Sequence, residues 1–217
     1  MQRHHKNHNL MIHDGADYCG LPIQGDKGPF VQQYLERLRN TIENAVQQYS
    51  RVFAFRVDLR FPAGIDLPEI YSNQVVERFV ESFKAKIRHN RKMARQENWC
   101  AHDSNVRFVW AREVGLYGRP HYHMAILLNF EAFNSLGKFE EGRDNMFNRL
   151  AQAWASALGL SVEDVRGLVE IPANSAYCLR RNDPQSQADF FYRASYLCKV
   201  ATKVYGNGQH GFGASRL

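Results

Sequence analysis

The chain has 217 residues, of which 44% are hydrophobic, so one domain with a full hydrophobic core is favoured and disorder throughout is excluded. Its formal net charge of +6 suits a polyanionic partner without identifying one. The four cysteines are widely spaced, which indicates a reduced chain with no zinc finger and no disulfide framework. The sequence has no long apolar run and no signal-peptide pattern, so we expect a cytoplasmic protein with no membrane partner.

The first 28 residues show little hydrophobic periodicity. We predict that they form a flexible tail, with a metal-binding or DNA-contacting arm as the alternative. Their histidines are His4, His5, His8 and His13. Residues 29–217 are predicted to form a single domain, which begins with a helix over residues 29–49 that has a proline in its first turn.

A strand is predicted over residues 52–61, where large apolar side chains occupy every second position. These are Phe53, Phe55, Val57, Leu59 and Phe61. Charged residues lie between them at Arg56, Asp58 and Arg60. A sheet edge exposed to DNA explains these charges, and ordinary alternation with solvent explains them equally well.

A second helix is predicted from a cap at Ser72 or Asn73 to about residue 96. Its later half holds the densest basic cluster of the chain, which either contacts phosphates or forms a solvated face. The DNA-contacting residues that we predict on it are Lys84, Arg88, Arg91, Lys92 and Arg95. Trp99 and His102 follow in a short loop, where each either touches a base or packs against the protein.

Two strands joined by a short loop come next, over residues 105–114 and 121–129, with the loop at residues 115–120. His121 and His123 are two residues apart, so their side chains project from one face of the strand. Antiparallel pairing brings Glu113 opposite them. Two imidazoles and a carboxylate are a plausible site for a divalent metal, with Asp58 or Glu170 as alternatives for the carboxylate.

The rest of the chain predicts a helix over residues 144–158 that ends at Gly159, and one bent or two short strands over residues 165–171 and 176–179. Because strands joined by a short loop pair antiparallel, we expect an α+β fold with a central antiparallel sheet and flanking helices.

A final helix is predicted over residues 187–205. One of its stripes is apolar, formed by Phe191, Ala194, Cys198, Ala201 and Tyr205. The other combines two phenols and two ammonium groups, on Tyr192, Tyr196, Lys199 and Lys203. Half-buried tyrosines beside a solvated lysine edge would explain that stripe. A phenolate stabilised by nearby cations is also a nucleophile, and a divalent metal would stabilise the charge on a reacting phosphodiester.

These two motifs resemble those of the HUH endonucleases, which nick single-stranded DNA in rolling-circle replication, conjugation and some transposition. His121-Tyr122-His123 matches the metal strand of that family. The segment from Tyr192 to Lys199 matches its two-tyrosine pattern Tyr-x-x-x-Tyr-x-x-Lys, which occurs in phage replication initiators. An early strand, the metal strand and the tyrosine helix also come in the family's order.

A closer resemblance is to the YagK/YfjJ C-terminal domain group of replication-like phage and prophage proteins, over about residues 30–217. It rests on Arg193-Ala194-Ser195-Tyr196-Leu197 and on the tail Phe212-Gly213-Ala214-Ser215-Arg216. The resemblance implies an HUH/Rep nuclease-like, ferredoxin- or RRM-like sandwich. It also implies single-stranded DNA at an origin as substrate, host helicase and polymerase as partners, and a 5′-phosphotyrosine intermediate.

By this resemblance Glu113, His121 and His123 hold Mg²⁺ or Mn²⁺, Tyr196 attacks and Tyr192 acts in a second transfer. Lys199 steadies the phenolate or the leaving oxygen, and we expect Lys203 to contact DNA. Two alternatives stand beside this hypothesis. One is a two-His-one-carboxylate iron oxygenase, which would leave the tyrosine–lysine stripe without a purpose. The other is a catalytically silent DNA-binding regulator on the same fold.

Overall fold

The computed structural model describes residues 2–64, 72–115, 118–206 and 208–216. In chain order the elements are β1 (Gln2–His4), β2 (Asn7–His13), β3 (Asp17–Tyr18), β4 (Leu21–Pro22), β5 (Phe30–Val31), α1 (Gln32–Gln48), β6 (Arg51–Arg60), α2 (Gln74–Glu97), β7 (Arg107–Val114), β8 (Pro120–Asn129), α3 (Met146–Leu158), β9 (Val169–Glu170), β10 (Ala176–Arg180), α4 (Pro184–Ser195) and β11 (Phe212–Ala214). The predicted α+β class is therefore confirmed.

The central sheet is antiparallel, with strand order β10-β6-β8-β7-β11, and β9 also pairs with β6. The predicted hairpin joins β7 to β8, although residues 116 and 117 of its loop lie outside the described residues. The predicted positions of the first three helices are confirmed to within a few residues. For α3, the side chain of Asn145 accepts a hydrogen bond from the Asn148 N–H, and Gly159 ends the helix with φ 69°.

Helices cover both faces of this sheet, as the side chains of β6 show. Phe53, Phe55, Val57 and Leu59 belong to the hydrophobic cluster that α2 and α3 complete, and Val52 and Ala54 belong to the cluster formed with α1 and α4. Arg56 and Asp58 continue the second series and are only 4% and 7% exposed. These two charges are therefore explained neither by an edge exposed to DNA nor by contact with solvent. A buried polar site explains them.

The N-terminal segment is built into the fold, so the predicted flexible tail is wrong for residues 2–28. Strands β1, β2 and β5 form a three-stranded sheet, and Tyr18 and Ile23 are buried in the α1/α4 cluster. Gln24 donates side-chain hydrogen bonds to the carbonyls of Tyr192 and Arg193, each 3.0 Å long. The segment thereby fixes the C-terminal end of α4.

Helix α4 is shorter than its hydrophobic periodicity predicts, because it stops at Ser195 and a 3-10 turn follows over Tyr196–Cys198. Beyond that turn the backbone leaves the helical path and bridges Phe30, while the Val200 N–H donates to the Pro29 carbonyl at 2.8 Å. These contacts join residues that are far apart in sequence, and they replace the hydrogen bonds that a continued helix would form. Ala201, predicted to face the core, is exposed.

All four cysteines are free thiols, as expected for a chain without a disulfide framework. None of the helices that the structure describes combines the length and the apolar composition needed to cross a membrane.

Glycine at position 213 is a packing requirement, which gives a testable prediction for the fold. A Cβ atom there would lie 2.5 Å from Cε2 and 2.6 Å from Cζ2 of Trp110, whose ring is buried. We expect Gly213→Ala to lower the free energy of unfolding by about 1–3 kcal/mol, measured by urea denaturation. Gly211→Ala is the matched control, because its nearest neighbour would be Lys203 Cδ at 3.7 Å. Equal stability of the two variants would contradict this packing.

Candidate metal centre and neighbouring tyrosine

The sheet register brings the predicted metal ligands together. Glu113 on β7 lies opposite His121 on β8, and Asp58 on β6 lies opposite His123. Because side chains alternate along each strand, all four point toward the layer formed by α1, α4 and the segment after α4. The pairing of Glu113 with His121, predicted from hairpin geometry, is confirmed.

Glu113, His121 and His123 form a group that could hold a metal ion, with ligand atoms all within 4.8 Å of one another. The two Nε2 atoms are 3.1 Å apart, and Glu113 Oε2 lies 3.5 Å from that of His123 and 4.0 Å from that of His121. Glu113 is 1% exposed, and its Oε1 atom is buried without a hydrogen bond. Two imidazole nitrogens and a buried carboxylate oxygen are a donor set that a divalent ion accepts, so these residues fit one.

Asp58 orients His123 from the other side of the ring. Its Oδ1 atom lies 2.7 Å from His123 Nδ1, and Arg56 Nη2 is 3.4 Å from the same oxygen. A carboxylate on Nδ1 leaves Nε2 facing the cluster, which is the usual arrangement around metal-binding histidines. Asp58 is thus outside the ligand group, and so is Glu170, which forms an ion pair of 2.7 Å with Arg60.

The electrostatics of the cluster favour the charged forms of Glu113 and His123 and the neutral form of His121. Burial alone would raise the pKa of Glu113, but the hydrogen bond to His123 and the charge of Lys203 outweigh it and lower that pKa. Burial would lower the pKa of His123, but hydrogen bonds to Asp58 and Glu113 raise it overall. His121 has a lowered pKa, because of burial and the neighbouring His123. One imidazole is therefore held ready as a neutral ligand.

The segment after α4 surrounds Glu113 with donors. Lys199 Nζ lies 3.1 Å from Oε2 and Lys203 Nζ lies 3.7 Å from Oε1, while the Thr202 hydroxyl donates to Oε2 at 2.6 Å. Thr202 adopts a φ of 68°, which is rare for a β-branched residue, and its carbonyl accepts a hydrogen bond from the Val114 N–H. Sequence periodicity did not reveal this segment's role, because it depends on the end of α4.

Lys203 is buried at this site, which differs from its predicted role as a DNA-contacting surface residue. It is 8% exposed, and burial lowers its pKa to about 8 although Glu113 opposes the shift. Its ammonium group faces the buried carboxylate. Lys203 therefore shapes the charge of the cluster instead of presenting a cation to solvent.

Tyr196 lies beside this candidate metal cluster, whereas Tyr192 faces outward. Lys199 Nζ is 2.5 Å from the Tyr196 hydroxyl, and the Tyr196 ring packs edge-on against His123 with centroids 5.3 Å apart. The Arg56 guanidinium lies 5.2 Å from the same ring. Tyr192, one turn earlier, is 45% exposed. The structure thus joins one of the two predicted tyrosines to the cluster.

The predicted DNA-contacting residues of α2 lie elsewhere. Helix α2 covers the opposite face of the sheet, and its basic half borders the start of β7, where Arg88 and Arg107 line one cleft. Arg107 and Glu113 are six residues apart on β7, which corresponds to about 20 Å along the strand. The cluster and the basic half of α2 are therefore separate surfaces.

The chain is similar to two proteins of Escherichia coli strain K12. Residues 17–215 match the YagK/YfjJ C-terminal domain family. The chain is 30% identical over 208 residues to "Uncharacterized protein YfjJ", with 90% of this chain and 100% of that protein covered. It is 31% identical over 204 residues to "Uncharacterized protein YagK", with 89% and 97% covered. No solved structure matches the chain.

Proposed function

The chain belongs to the YagK/YfjJ C-terminal domain family, and we propose that it is a metal-dependent endonuclease that nicks and rejoins single-stranded DNA through a 5′-phosphotyrosine. This is the activity of the HUH endonucleases, which its motifs resemble. In a phage, prophage or other mobile element it would initiate rolling-circle replication at an origin. The substrate would be single-stranded origin DNA, with host helicase and polymerase acting afterwards.

The observation that carries this proposal is the contact of one lysine with both halves of the site. Lys199 Nζ lies 2.5 Å from the Tyr196 hydroxyl and 3.1 Å from Glu113 Oε2. An ammonium group at hydrogen-bond distance stabilises a phenolate and so makes the hydroxyl a better nucleophile. The candidate nucleophile therefore stands at the edge of the candidate metal centre.

The charge of the site supports a phosphodiester as the group that reacts. The buried cations around Tyr196 and Glu113 are Arg56, Lys199 and Lys203, whereas the buried carboxylates are Asp58 and Glu113. A divalent ion would increase the excess of positive charge. A bound phosphate would offset it, because buried charges are stable only when they are paired.

In the proposed reaction the Tyr196 oxygen forms a bond to phosphorus as the bond from phosphorus to the 3′ oxygen breaks. The phenolic proton leaves to solvent, and the departing oxygen takes up a proton to become a free 3′ hydroxyl. Lys199 stabilises the phenolate and Asp58 keeps His123 in its ligating orientation. Mg²⁺ or Mn²⁺ held by Glu113, His121 and His123 would supply Lewis-acid polarisation of the phosphate. Tyr192 is the candidate for the second, joining transfer.

The test is covalent capture of DNA by the purified protein. The protein is incubated with Mn²⁺ and a single-stranded DNA library of random sequence that is labelled at the 3′ end. We expect a labelled protein band that survives denaturation in SDS. The label must be on the 3′ side because the protein keeps the 5′ phosphate. Sequencing of the captured strands would define the site, and EDTA is the control. Binding to DNA without any adduct, also on phage and host origins, would assign the chain to the class of silent regulators.

A further inference from the structure

A basic groove lies along the C-terminal half of α2, remote from the metal centre. Its lining cations are Arg88, Arg91, Lys92 and Arg95, with Asp103 as the lining carboxylate, and its volume is about 470 Å³. Arg88 also lines a neighbouring cleft that includes Lys84, Arg107 and Arg216. The two clefts thus form one positively charged surface around the start of β7, which suits a chain of phosphates.

The groove cations are available to a ligand. Arg88 and Lys92 are exposed, and neither forms an ion pair within the described part of the chain. Arg95 and Asp103 lie 3.3 Å apart and are each about half exposed, so a phosphate can compete for that arginine. Arg91 is held in place, since it donates to the His102 carbonyl and stacks 4.5 Å from the Phe133 ring.

Trp99 is a large exposed aromatic residue in the turn that follows this basic half of α2. Its side chain is 88% exposed, whereas Trp110 and Trp154 are buried at 8% and 0%. It lies in the turn between Gln96 and Asp103, and both of those residues line the groove. An indole beside several cations is the combination on which unpaired bases stack while their phosphates are neutralised.

We infer that Trp99 and the basic groove of α2 form a second binding site for single-stranded nucleic acid, separate from the metal centre. In a duplex the bases are stacked on each other and do not offer their faces to an indole. A membrane surface is less suitable, because the apolar face of α2, with Phe79, Phe83 and Ile87, is buried in the core. The choice of nucleic acid as ligand rests on the proposed function, but binding here requires no cleavage.

The site would hold the substrate strand away from the scissile phosphate. The groove lies on the α2 face of the sheet and the candidate metal centre on the other face, and Arg107, which lines the neighbouring cleft, is about 20 Å from Glu113 along β7. A strand bound at both places must therefore pass around the sheet. This arrangement would anchor the DNA while the reacting segment enters and leaves the metal centre.

Tryptophan fluorescence of the full chain tests this inference with oligo(dT) of 20 nucleotides in EDTA, where nicking does not occur. We expect binding to quench the emission of Trp99, because the other two tryptophans are buried. Trp99→Ala should remove the quenching and raise Kd about tenfold or more, as followed by anisotropy of labelled DNA. The double variant Arg88→Gln, Lys92→Gln should weaken binding. It should also make the slope of log binding constant against log salt concentration shallower by about 1.4.

The control for charge alone is the double variant Lys138→Gln, Arg180→Gln, whose residues are exposed outside the groove. Its Kd should stay near that of the wild type. Because the assay in EDTA excludes nicking, a chain that binds oligo(dT) in this way but never nicks would overturn only the proposed reaction. Unchanged affinity in Trp99→Ala, preference for duplex DNA, or a Trp99 signal with anionic vesicles that oligo(dT) does not compete would overturn the inference.

Discussion

Tyr196→Phe is expected to abolish the covalent protein–DNA adduct, with a fall of at least about a thousandfold in its rate of formation. The substitution removes only the hydroxyl that Lys199 contacts and keeps the ring that packs against His123 and Arg56. The fold should therefore persist, and DNA binding should change little. Gel analysis of 3′-labelled adduct, with thermal unfolding measured in parallel, separates loss of the nucleophile from loss of structure.

Tyr192→Phe is the matched control, because that tyrosine lies one turn earlier and is about half exposed. We expect it to form the first adduct at a rate close to that of the wild type and to lose the joining of a second strand. An adduct in Tyr196→Phe that disappears only in the double variant would mean that the two tyrosines exchange roles. Persistence of full activity in the double variant would contradict the tyrosine mechanism.

The cluster of Glu113, His121 and His123 was predictable because its geometry is local. A short loop fixes the register of β7 and β8, so the sequence alone places Glu113 opposite His121 and puts His121 and His123 on one face. The alternation of β6 and the amphipathic pattern of the first three helices are equally local, which explains why those elements were correctly predicted.

The parts that sequence reasoning missed depend on contacts between distant segments. The chain leaves α4 where Lys199 pairs with Phe30. The Gln24 side chain, in the N-terminal segment, donates a hydrogen bond to the Tyr192 carbonyl near the same end of the helix. From periodicity alone, Lys203 is predicted to be one more residue on the polar stripe of a longer helix. Its burial beside Glu113 requires the chain to leave the helix after Cys198. Periodicity carries no information about such a departure.

The position of Asp58 beside His123, rather than as a metal ligand, could have been identified from the pairing of β6 with β8. Once these strands are neighbours, the register that sets Val57 opposite Met124 also sets Asp58 opposite His123. The signal in the sequence is a charged pair, Arg56 and Asp58, on the face of the strand where Val52 and Ala54 are apolar. A strand face that changes from apolar to charged toward one end indicates a polar site at that end of the sheet.

Metal binding should show a graded response to substitutions in the cluster. His123→Ala and Glu113→Gln each remove a ligand atom, so we expect both to weaken Mn²⁺ binding by more than about a hundredfold in isothermal titration calorimetry. Asp58→Asn leaves the ligands in place and loosens only the orientation of His123, for which we expect a loss of about 10–100-fold. Mn²⁺ should bind more tightly than Mg²⁺, because two of the three ligands are imidazoles.

Thermal unfolding gives an independent measure of the same binding. Mn²⁺ at about a hundred times its Kd should stabilise the wild type by about 2.7 kcal/mol, and EDTA should reverse the effect. Glu170→Gln is the matched control, because this carboxylate pairs with Arg60 outside the cluster. If Glu113→Gln kept full affinity while Asp58→Asn lost it, the carboxylate ligand would be Asp58. Such a result would require the His123 ring to turn its Nδ1 atom toward the metal.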